Sequence, residues 1–345
     1  MAQLSHTAPL SVRAPRPGEG TPIALLWREL WEVHERWGGY PGSREADVYA
    51  HLASRLDNDA VVRAKSPTLG RHVHLVADFE GVLSGQVEGW LDHHGTDGST
   101  PATCEVRSLI VGERARGLGV GRALLETLAV TARRALGPRC ILAAEVLKHN
   151  PAKAFYARVG YAPVSWSARI DVLAEAMPGP GPVLARMAAP QDALCIARLE
   201  AALAARRRAA GDVRFDRPRA IDATLVGAIA ALLVQEAAAP VRDPATLVAV
   251  DSKGVVRGAA SFTVHALEAP FLPTRRALVA RMALDPACPA QPLVAPLVAL
   301  GCRLAAAQRV QHVEVTDISA PGTELHDAVL ATGACPWSLV VTKAA

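Results

Sequence analysis

A mixed α/β architecture, built twice in tandem, is what this 345-residue sequence predicts. Three observations carry the prediction. A strand-like run, Cys104 to Val111, passes through a glycine-rich turn, Arg116-Gly117-Leu118-Gly119-Val120-Gly121. A run with Val120, Leu124, Leu128, Ala132 and Leu136 on one stripe follows, the spacing of an amphipathic helix. Segments of the first half then recur in the second at one offset of 173 residues, the signature of a duplication. Between the halves, Ala174 to Pro182 is rich in proline and glycine, a linker composition. The expected domains are therefore 1–177 and 178–345.

Bulk properties agree with two soluble domains. A chain of this length divides more naturally into two cores than one. Half of its residues are hydrophobic but only 4% are aromatic, so alanine, valine and leucine do the packing. The net charge of +4 is mild and the basic residues are scattered, which argues against nucleic acid as a partner. Six cysteines lie far apart with no C-x-x-C pair, the pattern of reduced thiols. No basic segment followed by an apolar core opens the chain, and no apolar run is read as a membrane span. The expectation is a cytoplasmic protein with no membrane partner.

In order, Leu10 to Pro15 reads as a first strand. Ile23 to Trp37 reads as a helix with Leu26, Leu30 and Val33 on one stripe, and it holds Trp27, Trp31 and Trp37. Tyr40-Pro41-Gly42-Ser43 stops it, and Arg44 to Leu56 reads as a second helix. His72 to Asp78 and Val82 to Leu91 form a hairpin pattern around Glu80-Gly81. A polar loop, His94 to Pro101, leads to the strand, turn and helix above. Arg139 to Val146 reads as a buried strand, and Ala162 to Val172 as the strand that closes the half. At the offset, Val12 to Pro15 falls on Ala185 to Ala188, and Gly81 to Gly85 on Gly254 to Gly258. Leu109 to Val111 falls on Met282 to Leu284, and Gly160 to Pro163 on Gly333 to Pro336.

The glycine turn carries the chemistry. Glycine permits φ > 0 and close approach of a ligand to the backbone. The open N–H groups of a first helical turn, with the helix dipole, favour an anion. Arg116 and Arg122 add positive charge. The turn is no Walker A, since no Gly-Lys-Ser/Thr follows, and a dinucleotide fingerprint would want a third glycine at Arg122. A phosphate or pyrophosphate cradle remains.

A second block, Asn150-Pro-Ala-Lys-Ala-Phe-Tyr156-Ala-Arg-Val-Gly160-Tyr161, stands about 30 residues on. Together the blocks resemble the GCN5-related N-acetyltransferase (GNAT) family. Arg116, Gly119 and Gly121 match its Arg/Gln-x-x-Gly-x-Gly/Ala loop. Asn150, Phe155, Tyr156 and Gly160 match its later motif, with Tyr161 where phenylalanine is commoner and the alanine displaced by one to Ala154. The resemblance implies a tandem of acyl-CoA N-acyltransferase folds and acetyl transfer from acetyl-CoA to a primary amine. It implies that Gly117, Leu118, Gly119, Val120, Gly121 and Arg122, with Arg116, hold the diphosphate. Leu109, Ile110 and Val111 would offer backbone groups to the pantetheine arm and thioester, and Asn150 would fix the arm or the turn carrying Tyr156. Tyr156 would protonate the leaving thiolate.

Glu145 and Glu105 are the candidate bases, and Trp37 and Tyr40, beside the helix break, the candidate acceptor-pocket residues. Asp92, His93 and His94 end the second hairpin strand, where an acceptor could reach, and read first as a solvated turn. His72-x-His74 lacks a third ligand at metal-site spacing, so no metal is expected. The acceptor is expected to be a small-molecule amine: an amino sugar, an amine or an amino-acid-derived metabolite, antibiotics included. Protein acetylation and a non-catalytic acetyl-CoA sensor or scaffold are the rival readings, and a homodimer is a further expectation. In the second half the cradle maps onto Pro289-Ala290-Gln291-Pro292-Leu293-Val294, Asn150 onto Thr323 and Tyr156 onto Val329. Prolines have no N–H to offer a phosphate, so one cofactor site per chain is expected, in residues 104–161.

Overall fold

The computed structural model describes residues 10–65, 70–92, 101–172, 183–215, 220–239, 243–267 and 275–345. The first half runs β1 (Leu10–Arg13), α1 (Gly20–His34), α2 (Ala46–Lys65), β2 (His72–Phe79), β3 (Val82–Asp92), β4 (Thr103–Val111), α3 (Val120–Leu136), β5 (Ile141–Leu147), α4 (Ala152–Arg158) and β6 (Ala162–Asp171). The second runs β7 (Leu184–Met187), α5 (Ala193–Ala209), α6 (Ala223–Ala238), β8 (Ala245–Val250), β9 (Val256–Ala266), β10 (Arg275–Leu284), α7 (Ala290–Ala307), β11 (His312–Ile318), α8 (Glu324–Leu330) and β12 (Cys335–Ala344). The order of strands and helices is the same in both, as the repeat requires. Even an ion pair is repeated at the offset: Arg13 to Glu19 and Arg186 to Asp192, each at 2.6 Å.

One compact unit comprises Met1–Ala162 with Val341–Ala345. Its strands β1 to β4 pair antiparallel in sequence, and β5 joins β4 in parallel. Helices α1 and α2 cover one face, where Ile23, Ala24, Leu52 and Leu56 pack around Val76. Helix α3 covers the other, with Val120, Leu124, Leu128 and Ala132 of the expected stripe fully buried and Leu136 half-buried. Gly89 of β3 is needed there: a Cβ would lie 2.6 Å from Leu128.

A second unit comprises Pro163–Leu267 and Pro273–Val340. Its strands run β7, β8, β9 and β10 antiparallel, with β11 parallel to β10. Strand β6 pairs antiparallel with β11, His312 opposite Asp171 and Val315 opposite Ala168. The strand expected to close the first half thus pairs within the second unit, and the compact units divide at 162/163. Alternation of buried and exposed residues marks a strand but does not say which sheet it joins. The linker expected at 174–182 lies outside the described residues. Helix α7 is 18 residues long with mean hydropathy 1.4, the length and composition of a membrane-crossing helix, contrary to the expectation that no run reaches that length. It packs as a core helix, with Leu293, Val294, Leu297 and Val298 buried beside Phe262 and Val279.

Candidate active site

Strand β4 leads into a short 3₁₀ turn, Glu113–Ala115, and then the glycine loop. Gly117 and Gly119 sit at φ 80° and 87°, a region that costs other residues about 1–2 kcal/mol. Gly119 caps α3 with no side chain supplying a hydrogen bond, and its carbonyl accepts from Ala123 at 3.0 Å. The amides of Val120, Gly121 and Arg122 therefore have no acceptor within the helix. The Leu118 amide is spent on the Ala115 carbonyl at 3.4 Å, and its side chain is exposed. Arg116 folds back instead of reaching outward: its Nε donates to the Val111 carbonyl at 3.0 Å, tying the loop to the end of β4.

The strands beside the loop separate. Thr103 to Val106 pair with Ile141 to Ala144, and the register goes no further. Leu109, Ile110 and Val111 pair with Val87, Gln86 and Gly85 on one side only, so alternate backbone groups on their other edge face the gap. At the far side of the gap, Asn150 accepts from the Ala152 amide at 2.8 Å through Oδ1 and so fixes the first turn of α4. That helix buries Tyr156, whose ring meets Tyr161 edge-on at 5.1 Å. Burial pushes the Tyr156 hydroxyl well above its usual range, so it holds its proton at neutral pH. The Tyr161 hydroxyl is buried without a partner.

On the α1/α2 face a hydrogen-bonded chain crosses three strands. His74 Nε2 donates to Gln86 Oε1 at 2.8 Å, Gln86 Nε2 to Ser108 Oγ at 3.4 Å, and Ser108 Oγ to Glu88 Oε2 at 2.8 Å. Glu88 Oε1 lies 3.9 Å from His72 Nε2, and Arg63 holds the other ring nitrogen of His72. Burial lowers the pKa of both His72 and His74 to about 4, so both rings are neutral near pH 7. Sequence reasoning missed Glu88, Ser108 and Gln86. The register slips between Glu88/Ser108 and Gly89/Val106, leaving Arg107 as a bulge, and only that bulge turns Ser108 toward Glu88.

Glu105 and Glu145 stand on the same sheet face, by their register opposite Trp90 and beyond Ala143. Glu105 is half-exposed and paired with Arg107 at 3.0 Å, and Arg107 also lies over the Trp90 ring at 5.1 Å. Trp27, Trp31, His34 and Trp37 form an aromatic series along α1 and the 3₁₀ turn after it. Burial takes His34 down to about 4. Trp37 is half-buried, whereas Tyr40 is buried at 4% exposure and presents little surface to a ligand. Asp92 lies 3.8 Å from Arg71; His93 and His94 fall outside the described residues. Among the described residues no three His, Cys, Asp or Glu side chains cluster as metal ligands.

The equivalent place in the second unit is built differently. Helix α7 begins at Ala290 after Pro289, and the Ala290 amide donates to Glu324 Oε1 at 2.6 Å. Pro292, the third residue of that turn, has no N–H.

Residues 27–161 match the acetyltransferase (GNAT) family. No curated protein matches the chain by sequence. Among solved structures, the chain is similar to a GCN5-related N-acetyltransferase from Sphaerobacter thermophilus, at 17% identity and TM-score 0.57 over 98% of this chain and 96% of that one. A GCN5-related glucosamine N-acetyltransferase region of a fungal multi-domain β-N-acetylglucosaminidase aligns at 13% identity and TM-score 0.54, over 98% of this chain and 38% of that one. A tandem GNAT protein from the clavulanic acid biosynthesis pathway aligns at 19% identity and TM-score 0.47, over 97% and 98%. At such identities the first two likenesses speak to the fold.

Proposed function

We propose, from the premise that residues 27–161 form a domain of the acetyltransferase (GNAT) family and the chain is an acyltransferase, that it acetylates the primary amine of a small molecule by direct attack on acetyl-CoA. The observation that supports this most is the pairing of three open first-turn amides at Gly119 with the gap between β4 and β5. The first suits a diphosphate; the second suits an extended arm hydrogen-bonded to Leu109–Val111. Acetyl-CoA supplies the acyl group as a thioester. The backbone edge of β4 aligns the arm and polarises the carbonyl. The amine nitrogen bonds to the carbonyl carbon as the carbon–sulfur bond breaks. Tyr156, kept protonated by burial, gives its proton to the thiolate. A thiol of ordinary pKa about 8–9 leaves readily, so the acid assists rather than decides.

The acceptor arrives as an ammonium and must lose a proton. Glu88, held by Ser108, joins Glu105 and Glu145 as groups for that step, and three carboxylates on one sheet face favour a cationic acceptor. The aromatic series on α1 fits a small molecule bound beside it. The second unit fits no diphosphate, because Glu324 already fills its helix N-terminus. Titration calorimetry with acetyl-CoA tests the reading. One site per chain, with CoA released only when an amine is added, is the expected result; two sites, or no amine-dependent release from a broad panel, would overturn it.

A further inference from the structure

Two branches of polar side chains converge on Glu88 of β3, and each is oriented from its far end. On the first, Arg63 of α2 donates to the His72 carbonyl at 2.9 Å and to His72 Nδ1. A guanidinium has no acceptor to offer, so Nδ1 is the accepting nitrogen and the proton of the neutral ring stands on Nε2. That nitrogen lies 3.9 Å from Glu88 Oε1, and the ring lies against Trp90 at 5.5 Å and His74 at 6.1 Å. On the second, the donors run from His74 to Gln86 to Ser108, and Ser108 Oγ donates to Glu88 Oε2 at 2.8 Å. Gln86 is 0% exposed and His74 4%, so water does not compete for this branch. Both carboxylate oxygens of Glu88 thus face N–H or O–H donors, and its side chain is only 16% exposed.

The neighbouring carboxylates are held otherwise. Glu105 is half-exposed and paired with Arg107 at 3.0 Å, and Glu145 is exposed. The second repeat, which has Pro289 and Pro292 in place of the glycine turn, lacks both branches. Gly85 pairs with Val111 and Gly258 with Leu284. In that shared register Ala259, Ser261 and Arg281 stand where Gln86, Glu88 and Ser108 stand in the first, and strand β8 carries no histidine. A network that only filled a sheet face would suit both copies; this one goes with the copy that keeps the glycine turn. We propose that Arg63 and His72 are positioning residues for acyl transfer: they fix the Glu88 carboxylate so that it, rather than Glu105 or Glu145, binds the ammonium group of the acceptor. The inference rests on the reading above and assigns one contact within it. Without Arg63 the His72 proton is free to move to Nδ1, which turns a lone pair toward Glu88 and loosens the carboxylate. The charged and titratable groups that face His72 are Glu88 from β3, Arg63 from α2, Arg107 from β4 and His74 from its own strand, with Asp59 of α2 near His74.

The test is a double-mutant cycle on the full chain. It is read as CoA release with the primary amine that turns over fastest among alkylamines, arylalkylamines and amino sugars. Arg63→Met and His72→Leu should each lower kcat/KM for the amine by about tenfold, the scale of one charge-assisted hydrogen bond, with the KM for acetyl-CoA unchanged. The loss should be largest at low pH, where the amine is protonated. His72→Gln, which keeps an N–H donor, should recover most of it. In a Glu88→Gln background neither substitution should lower kcat/KM further, because both act through that carboxylate. Additive losses in the double variants, or losses that raise the KM for acetyl-CoA equally, make Arg63 and His72 structural and overturn the inference while the acyl-transfer reading stands. Where Arg63→Met does not fold by far-UV circular dichroism, the two His72 variants decide alone. Absence of amine-dependent CoA release across the panel overturns the acyl-transfer reading and this inference with it.

Discussion

Glu324 sets its Oε1 2.6 Å from the backbone amide of Ala290, at the N-terminus of α7. The corresponding helix of the first repeat, α3, begins with no side chain in that position. A carboxylate on a helix N-terminus satisfies an open N–H and meets the positive end of the dipole. The second repeat thus meets an open N–H of that turn with a carboxylate of its own.

Glu324→Ala is therefore expected to be a stability mutation and nothing more. Loss of the cap costs about 1 kcal/mol, which lowers Tm by about 2–4 °C in a domain of this size. The acetyl-CoA stoichiometry should stay at one, because Pro289 and Pro292 still lack N–H groups. Gain of a second site would contradict the reading of α7.

Gly119→Val should act on the cofactor without unfolding the chain. Nothing lies within 4 Å of the new Cβ, so the cost is the positive φ, about 1–2 kcal/mol. The strain twists the first-turn amides out of line. Acetyl-CoA affinity should fall by about tenfold or more, while the far-UV circular dichroism is kept. Wild-type affinity in this variant would remove the cradle from the argument.

Tyr156→Phe should lower kcat by about 100-fold, the low end for general acid catalysis, with the KM for acetyl-CoA little changed. The hydroxyl is raised by burial, so it stays protonated throughout the neutral range. The wild-type rate should show no alkaline loss attributable to this group below about pH 10. A kcat within twofold of wild type would assign Tyr156 to packing.

Glu88→Gln and Ser108→Ala test the chain of hydrogen bonds on the α1/α2 face. If Glu88 receives the amine's proton or holds its charge, Glu88→Gln lowers kcat/KM for the amine most at low pH, where the amine is protonated. Ser108→Ala should have a smaller effect in the same direction, since it only positions Glu88. An unchanged pH profile in Glu88→Gln would hand the role to Glu105 or Glu145.

His74 makes stability depend on pH. Burial lowers its pKa from 6.5 to about 4, so the unfolded chain binds a proton more readily. Its contribution is present above about pH 6.5 and is lost as pH falls from there toward 4. Tm should drop across that window, and His74→Gln should flatten the drop. His34 and His72, also lowered by burial, act in the same direction and leave a residual slope.

Much of the first repeat was legible from local rules. The α3 stripe, the hairpin at Glu80-Gly81 and the positive-φ glycines depend on spacing and on the backbone freedom of single residues. Residues 27–161 accordingly carry the family match. Other features were not legible. Tyr40 stands beside a helix break, which suggested a pocket, yet it is buried; position along the chain does not say whether the tip of a loop packs inward. Glu88 was missed, because the bulge at Arg107 that gives it Ser108 leaves no mark on the alternation of the strand.

The sequence by itself determined that the chain is two copies of one mixed α/β pattern, that one copy keeps a glycine-rich turn, and that the other replaces it with a proline-bearing one. These follow from φ preferences, missing N–H groups and periodicity, which are properties of neighbouring residues. Only the tertiary structure decided that β6 pairs with β11, that Glu324 caps α7, and that Lys343 lines a cavity beside α3. Each joins residues distant in sequence, or from opposite halves of the chain. Strand pairing and register bring them together, and a period of two or of 3.6 specifies a face but not the partner that the face meets.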